Sequence, residues 1–167
     1  MEIVIGHTWD GQSVSPRHRA TIAFRRSAPR LIEVAVDAPF FDDPKPDQPT
    51  GRCPRLWEYE VAELFLVDQN GAYIEMEFGP HGHYLALFLS GPRVVVDDRL
   101  AMNYSAKVSG GRWQGRATIV PPAGYGESVA YNAFTISGLG AERRFLAHYP
   151  LLGARPDFHQ PTRFPRL

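Results

Sequence analysis

The chain has 167 residues, of which 44% are hydrophobic and 22% are charged, a composition that predicts a soluble globular protein and excludes a disordered chain. Its 18 basic and 18 acidic side chains cancel, so the sequence lacks the excess positive charge expected of a general nucleic-acid binder. The single cysteine, Cys53, excludes an intramolecular disulfide framework and predicts a reducing compartment.

The N-terminal stretch MEIVIGHTWDG has an acidic second residue and a short apolar run that ends at Gly6. It lacks the basic start and the longer apolar stretch of a secretory signal. No segment approaches the ~18 consecutive apolar residues of a membrane span. We therefore expect a cytoplasmic protein with no membrane partner.

Short segments with alternating, β-branched or aromatic residues follow one another along the chain. Turn signals such as Asn70-Gly71 and Gly110-Gly111 separate them, and no window shows the pattern of an amphipathic helix. This predicts an all-β protein, an immunoglobulin-like antiparallel β-sandwich formed by residues 1–167 as a single domain. The predicted strands are ATIAFRR (20–26), RLIEVAVDA (30–38), WEYEVAELFLVD (57–68), AYIEMEF (72–78), HYLALFLS (83–90), NYSAKVS (103–109), RWQGRATIV (112–120), YNAFTISG (131–138) and RFLAHYP (144–150).

One long irregular segment, DAPFFDDPKPDQPTGRCP at residues 37–54, contains five prolines. Proline interrupts helices and cannot donate to a strand ladder, so we expect an ordered loop or crossover here. Cys53 lies in this loop with no helix start behind it, which disfavours a catalytic cysteine.

Two of the predicted strands form a hairpin through the turn DQNG at residues 68–71. Because successive strand residues point to opposite faces, the hairpin has one apolar and one acidic face. The residues predicted for the core face are Leu64, Leu66, Ile74, Met76 and Phe78. The residues predicted for the opposite face are Glu63, Phe65, Tyr73, Glu75 and Glu77.

The acidic face needs a compensating group, because like charges on neighbouring strands destabilise a sheet. One candidate is a cross-strand arginine, for which Arg116 has the right alternation. The other is a ligand, either through its hydroxyl groups or as a cation. The residues alone favour the arginine.

Three further patterns give weaker signals. The clustered glutamates could supply the carboxyl pair of a glycosidase, but the sequence has no nucleophile elbow, phosphate-binding glycine loop or dinucleotide fingerprint. His81 and His83 are spaced to share a strand face, but a zinc site requires three or four ligands. We therefore expect no metal and no other cofactor. Calcium is the cation that the many loop carboxylates would favour.

Two tryptophans have different surroundings in the sequence. Trp113 alternates in phase with Ala117 and Ile119, which predicts a core position. Trp57 follows the Pro-rich loop at the start of the acidic strand. An aromatic ring beside carboxylates is an arrangement that can hold a sugar, since the ring covers C–H groups and the carboxylates accept hydrogen bonds from hydroxyls.

The stretch WEYEVAELFLVDQNGAYIEMEFGPHG, residues 57–82, resembles the signature of family 9 carbohydrate-binding modules and the related DOMON-like sandwiches. GRWQGRATIVPPAGY, YNAFTISG and PDFHQPTRFPRL follow in the order of later elements of that family, so the resemblance spans about residues 57–167. Nearly the whole chain also resembles an uncharacterised family of single-domain proteins from animals and bacteria, with HTWDG, APFF, LWxYEV, PHG and PDFH segments.

The first resemblance implies a ligand site. In sugar-binding members two aromatics hold a terminal sugar ring, and a glutamate follows the first aromatic on the same strand. Carried over by position, Trp57 resembles the first aromatic, Glu63 the glutamate and Phe158 the second aromatic. Glu77 stands where the family has a basic or polar group, and we expect it to be a second hydroxyl acceptor. The expected donors at the rim are His81, His159 and Arg52.

The resulting hypothesis is a non-catalytic module that binds a carbohydrate or similar polyol. Haem is less favoured than sugar, because Met76 is a core candidate and His81 lies in a turn. Two alternatives stay open: an enzyme that acts on a sugar or small metabolite through the glutamates and a histidine, and an interaction module without a small-molecule site. The last alternative predicts that Trp57 is buried against the core, with no pocket between Trp57 and Phe158. The sequence does not indicate an oligomeric state.

Overall fold

The computed structural model describes residues 1–28 and 30–167. Short 3-10 helices, Pro16–His18, Leu56–Glu58 and Gly140–Glu142, lie between the strands, and a further one, Pro161–Arg163, follows the last strand. The strands are β1 (Glu2–Ile5), β2 (His7–Thr8), β3 (Ala20–Ala28), β4 (Leu31–Pro39), β5 (Gly51–Arg52), β6 (Val61–Asp68), β7 (Tyr73–Phe78), β8 (His83–Gly91), β9 (Val94–Asp97), β10 (Met102–Ser109), β11 (Arg112–Ile119), β12 (Ser128–Ser137) and β13 (Arg144–Ala147).

The strands form two sheets that share a core. The smaller sheet has the order β1-β3-β4-β11-β10, and each neighbouring pair is antiparallel. The larger sheet has the order β2-β13-β12-β6-β7-β8-β5, and β9 adds to β8. Among the described strands, β5 and β8 are the pair that runs parallel. The prediction of an antiparallel β-sandwich is confirmed. Within the described ranges, no helix has the length and apolar character needed to cross a membrane.

The hairpin of β6 and β7 has the predicted faces. Its apolar residues point between the sheets and pack against the smaller sheet, where Trp113 is also buried as predicted. Each strand supplies every second residue to this core, as the pleat requires. The hairpin residues in the core are Leu64, Leu66, Ile74, Met76 and Phe78.

The structure differs from the predicted strands at several places. The short strands β1, β2 and β5 are absent from the predicted set. The segment from Trp57 does not begin as a strand, because Arg55 adopts a left-handed conformation and Leu56–Glu58 then forms a 3-10 turn. Strand β6 therefore starts at Val61. Strand β9 was not predicted, since its valines are exposed and give no alternation of buried and exposed positions.

A second hydrophobic cluster covers the outer face of the larger sheet. Strands β6 and β7 are consequently buried along their whole length, on both faces. The covering residues come from the loop before β6 and from the C-terminal segment. They pack on outward-facing side chains of the sheet itself, including those of β8, β12 and β13. Members of this cluster include Cys53, Leu56, Phe65, Leu87, Phe134, Leu151 and Phe164.

Gly115 on β11 allows one contact that links the sheets. A Cβ atom at this position would lie 2.7 Å from the hydroxyl oxygen of Tyr104 and 2.9 Å from its ring. That hydroxyl donates a hydrogen bond of 2.9 Å to the carbonyl of Gly79, which follows β7 in the opposite sheet.

We expect Gly115→Ala to displace the Tyr104 ring and to lower the free energy of unfolding by about 1–3 kcal/mol, the usual cost of overpacking. Urea denaturation would measure the change. Gly91→Ala is the matched control, because a Cβ atom there has nothing within 4 Å. Equal stability of the two variants would contradict the role given to Tyr104.

Candidate functional site

Three glutamates lie together on the outer face of the β6–β7 hairpin. Glu63 is directly opposite Glu77 in the ladder, and Glu75 is opposite Phe65. Because all three side chains leave the same face of the pleat, their carboxyl groups are neighbours. Glu63 is 2% exposed, Glu75 3% and Glu77 0%, so the covering layer removes them from water.

These carboxyl groups have unused hydrogen-bonding capacity. Within the described part of the chain, Oε1 of Glu63, Oε2 of Glu75 and both oxygens of Glu77 have no hydrogen-bond partner. Buried polar atoms are normally paired, because an unpaired one keeps the full cost of its desolvation. Four unpaired oxygens in one small region therefore require an explanation, and a ligand is one.

Burial raises the pKa of all three carboxyl groups, since it disfavours the charged form. The pKa of Glu75 rises to about 8. The pKa values of Glu63 and Glu77 rise well above the ordinary range, and repulsion from neighbouring carboxylates adds to the effect of burial. The backbone N–H of Trp57 favours charged Glu77 without forming a hydrogen bond of standard geometry to it. Burial therefore favours the protonated form of these carboxyl groups.

The arginine that the sequence favoured as the compensating group is elsewhere, so this prediction was wrong. Arg116 lies on β11 in the smaller sheet, between Ser105 of β10 and Ala35 of β4. Alternation along a strand identifies a polar face but not the sheet to which the strand belongs.

Two other arginines approach the acids from loops. Arg93 favours the charged form of Glu75, and Arg143 favours that of Glu63. Both are already engaged. Arg93 donates a 2.7 Å hydrogen bond to Asp157, and Arg143 donates to main-chain carbonyls, including those of residues 57 and 58.

A cavity of about 350 Å³ opens in front of Glu63 and Glu75. Trp57 stands at its mouth with 41% of the residue exposed. The polar groups around it besides the two carboxyls come from Arg93 and the C-terminal segment. Its lining residues are Trp57, Glu63, Phe65, Glu75, Leu87, Leu89, Arg93, Val95, Ile136, Phe145, Pro156, Asp157, Phe158 and His159.

Phe158 forms part of the aromatic wall. Its ring stacks on Phe134 of β12, with centroids 3.8 Å apart and planes within 8° of parallel. Phe145 of β13 meets it at a steep angle, with centroids 6.2 Å apart. One face of the Phe158 ring is thus held by the outer cluster while the residue still lines the cavity.

His159 is fixed by a hydrogen bond. Its Nδ1 atom is 2.7 Å from the hydroxyl oxygen of Tyr73 and 3.9 Å from Oε2 of Glu75, which is too far for a hydrogen bond. Burial, and then the positive charge of Arg93, lowers the pKa of His159 to about 4. The imidazole is therefore neutral at pH 7 and keeps one N–H donor.

The structure brings together four of the residues that the sequence proposed as ligand contacts. Trp57, Glu63, Phe158 and His159 line the cavity. The other three proposed contacts, Glu77, His81 and Arg52, do not line the cavity.

Glu77 lies beside Glu63 and outside the cavity lining. His81 packs edge-on against Phe40 in a separate depression, and Arg52 forms an ion pair of 3.1 Å with Asp98. The predicted positions of His81 and Arg52 at the rim of this site were wrong.

The sequence reading missed Arg93 and Phe145 as lining residues. Arg93 follows the Gly91-Pro92 turn and has a positive φ of 61°. That turn was visible in the sequence, but the side chain that it directs into the site was not. Phe145 lies in a segment recognised as a strand, without a sign that its neighbour would be β12.

The described residues contain no group of three or more His, Cys, Asp or Glu side chains placed to hold a metal ion. Cys53 is buried, with Nε2 of Gln48 2.7 Å from its sulfur. Burial raises the pKa of the Cys53 thiol, which disfavours the reactive thiolate.

The raised carboxyl pKa values predict how stability depends on pH. Between pH 4.5 and about 8, Glu75 keeps its proton in the folded chain and loses it in the unfolded chain, so stability falls as pH rises. Glu60, whose pKa burial raises to about 7, adds to the fall below pH 7. The lowered pKa of His159 makes stability rise with pH, but this effect no longer changes above about pH 6.5, where the imidazole is neutral in both the folded and the unfolded chain. The range from pH 6.5 to 8 therefore isolates the acids.

In that range we expect the free energy of unfolding to fall by up to about 1.4 kcal/mol per pH unit for each titrating carboxyl. Urea denaturation at four pH values would measure this slope. Glu75→Gln should make this slope less steep by the share of one carboxyl, because the amide has no proton to release. Glu2→Gln, at an exposed position of β1, is the control. A slope unchanged by Glu75→Gln would refute the assignment.

Comparison of folds identifies a crystal structure of a proposed carbohydrate-binding protein from Bacteroides uniformis. The TM-score is 0.70, and the match covers 99% of this chain and 84% of that one. The two sequences are 14% identical, so the likeness shows the shared fold alone.

Sequence comparison identifies vertebrate relatives, although no protein-family model matches the chain. UPF0462 protein C4orf33 homolog of Mus musculus is 35% identical over 170 residues, covering 96% of this chain and 87% of the relative. UPF0462 protein C4orf33 of Homo sapiens is 34% identical, covering 95% and 83%. The Danio rerio homolog is 34% identical, covering 96% and 85%. Because these identities extend over nearly the whole chain and most of each relative, the chain belongs to the UPF0462 family.

Proposed function

We propose that this protein binds a carbohydrate or a similar polyol and does not catalyse a reaction on it. The observation that carries the proposal is the cavity, in which aromatic walls surround two buried carboxyl groups with unpartnered oxygens. Its size of about 350 Å³ is within the ~300–1,000 Å³ range of small-molecule sites. A protein of the same fold, from Bacteroides uniformis, is itself described as a proposed carbohydrate binder, which supports the proposal by analogy of fold.

Each part of the cavity has a role in this proposal. Trp57 and Phe158 cover the C–H faces of a sugar ring. Glu63 and Glu75 hydrogen-bond its hydroxyls, with Glu75 in the place that the sequence gave to Glu77. A protonated carboxyl can donate to one hydroxyl and accept from another, so the empty and neutral site already matches a polyol. His159 supplies a further donor.

The alternative of an interaction module without a ligand site made two predictions, and neither agrees with the geometry. It required Trp57 to be buried against the core, but 41% of the residue is exposed. It also required no pocket between Trp57 and Phe158, and both residues line the same cavity.

A panel of mono- and disaccharides tests the proposed binding. We expect at least one sugar to raise the melting temperature of the wild type and to change its tryptophan fluorescence. Trp57→Ala should lower the affinity for that sugar by about tenfold or more, equivalent to ~1.4 kcal/mol of binding free energy, because the stacking surface is lost. Isothermal titration gives the affinity of the variant, whose fluorescence is altered by the substitution itself.

Trp57→Phe should keep part of the affinity, and Val120→Ala should keep all of it. Val120 is 58% exposed just beyond β11, on the other sheet, so it controls for loss of an exposed apolar side chain. A folded wild type that responds to no sugar would overturn the proposal, as would a Trp57→Ala variant of unchanged affinity.

One observation favours an enzyme as the second candidate. Glu63 and Glu75 have raised pKa values and face one cavity, which is what a general acid or base requires. They are diagonal neighbours on adjacent strands, where Cα atoms are about 7–8 Å apart, and carboxyl pairs at about 5–10 Å serve in glycosidases.

Glu63→Gln and Glu75→Gln separate the two functions. If the protein only binds, the wild type turns over no aryl glycoside, and each substitution changes affinity alone. If it is an enzyme, one substitution should lower turnover by a hundredfold or more, the usual contribution of a general acid or base, and leave affinity nearly unchanged.

A further inference from the structure

The floor of the cavity has more acceptors than a neutral ligand needs. Two carboxyl groups face it, and a third, that of Glu77, lies beside Glu63 on the adjacent strand. Among the described residues, neither Arg93 nor Arg143 comes within 4.0 Å of any of these carboxyl oxygens to form an ion pair. The positive groups nearest the floor are instead bound to Asp157 and to main-chain carbonyls. In the described part of the chain, no arginine therefore forms an ion pair with the carboxyl groups of the floor, although Arg93 lines the same cavity.

On the basis of the binding function above, we propose that the ligand carries a protonated primary amine on its polyol. Such a ligand is an amino sugar or an amino polyol. Its ammonium group lies between Glu63 and Glu75, and its hydroxyl-bearing carbons lie along Trp57 and Phe158.

The hydrogen-bonding chemistry of the two partners matches. An ammonium group has three donors and no acceptor, whereas ionised carboxylates have acceptors only. Glu63 and Glu75 both line the cavity, and each has a buried carboxyl oxygen without a hydrogen-bond partner among the described residues. Hydrogen bonds between charged partners are about twice as strong as those between neutral ones. A neutral hydroxyl needs a donor as well as an acceptor and gains nothing from a second negative charge.

The walls add a second attraction. Phe65 lies between the two glutamates on the same sheet face, and Phe145 completes the wall from β13. A cation within about 6 Å of the centre of an aromatic ring is attracted to the ring face, more strongly where water is excluded. An aliphatic wall would enclose the same volume without this attraction.

Binding of an ammonium group also moves protons. The carboxyl groups are protonated in the empty site, and an adjacent positive charge favours their ionised form, so protons leave as the ligand enters. Affinity should therefore rise with pH until the ligand's own amine loses its proton. The titratable and charged groups that face these acids are Tyr73, Glu63, Glu75, Glu77, Arg93, Arg143, Asp157, His159 and Cys53.

Calorimetric titration of the wild type with matched sugars tests the proposal. The probes are D-glucosamine, D-galactosamine and D-mannosamine, each beside its parent hexose and its N-acetyl derivative, at pH 7. We expect at least one amino sugar to bind tenfold or more tightly than both of its neutral partners. Titration in two buffers of different ionisation enthalpy should show proton release for that amino sugar and none for the hexose.

The double variant Glu63→Gln/Glu75→Gln keeps the shape of the floor and removes its acidity. The preference for the amino sugar should disappear in this variant, while the affinity for the parent hexose should change severalfold at most. Glu2→Gln, exposed on β1, should retain the full preference.

The outcomes separate this inference from the proposed function. If hexoses bind as tightly as every amino sugar, the amine assignment is overturned and the binding function stands. If no sugar of either kind binds, both are overturned. A preference that persists unchanged in the double variant overturns the placement of the ammonium between the two glutamates. The wild-type comparison alone decides the first two outcomes, so they do not depend on the folding of a variant.

Discussion

Three carboxyl groups without ion-pair partners, buried on one face of a hairpin, are the constraint on which this structure depends. Removing such groups from water is unfavourable, and an apolar face of the same shape would be more stable. The outer hydrophobic layer nevertheless buries Glu63, Glu75 and Glu77 together. The empty protein tolerates this because the groups retain protons, as their raised pKa values indicate. A protein that only had to fold would gain by replacing them, so the arrangement is best explained by binding.

The outer hydrophobic layer both buries the three glutamates and shapes the cavity through which a ligand can reach two of them. It seals Glu77 completely, but between the turn at Trp57 and the C-terminal segment it leaves a cavity that reaches Glu63 and Glu75. Low polarity around the floor strengthens every electrostatic interaction made there. The cavity is thus a place where one ligand charge or a few hydroxyls can decide affinity.

Local pattern was enough to predict the sandwich and the two faces of the β6–β7 hairpin, because alternation with period two is a property of the strand itself. It could not show whether the acidic face met water or a second layer. That layer depends on residues such as Phe145 and Phe158, which lie about 70 or more positions away in the sequence from the strands they cover. The misassignment of Arg116 has the same origin, since strand order within and between sheets is set by distant contacts. The 3-10 turn at Trp57 follows from the left-handed Arg55, a residue type that gives no warning of it.

Glu77 distinguishes the two readings of the ligand. Glu77 has no surface in the cavity, so a hydroxyl of a neutral ligand cannot reach it. If the ligand is neutral, nothing offsets the unfavourable free energy of burying this carboxyl without a hydrogen-bond partner. A positive charge acts at longer range. With an ammonium group between Glu63 and Glu75, the adjoining carboxyl of Glu77 is affected by that charge through the low-polarity interior, since it lies opposite Glu63 in the ladder. Repulsion from Glu63 and Glu75 adds to burial in raising the pKa of Glu77. The third acid therefore has a physical role if the ligand is cationic and none if it is neutral.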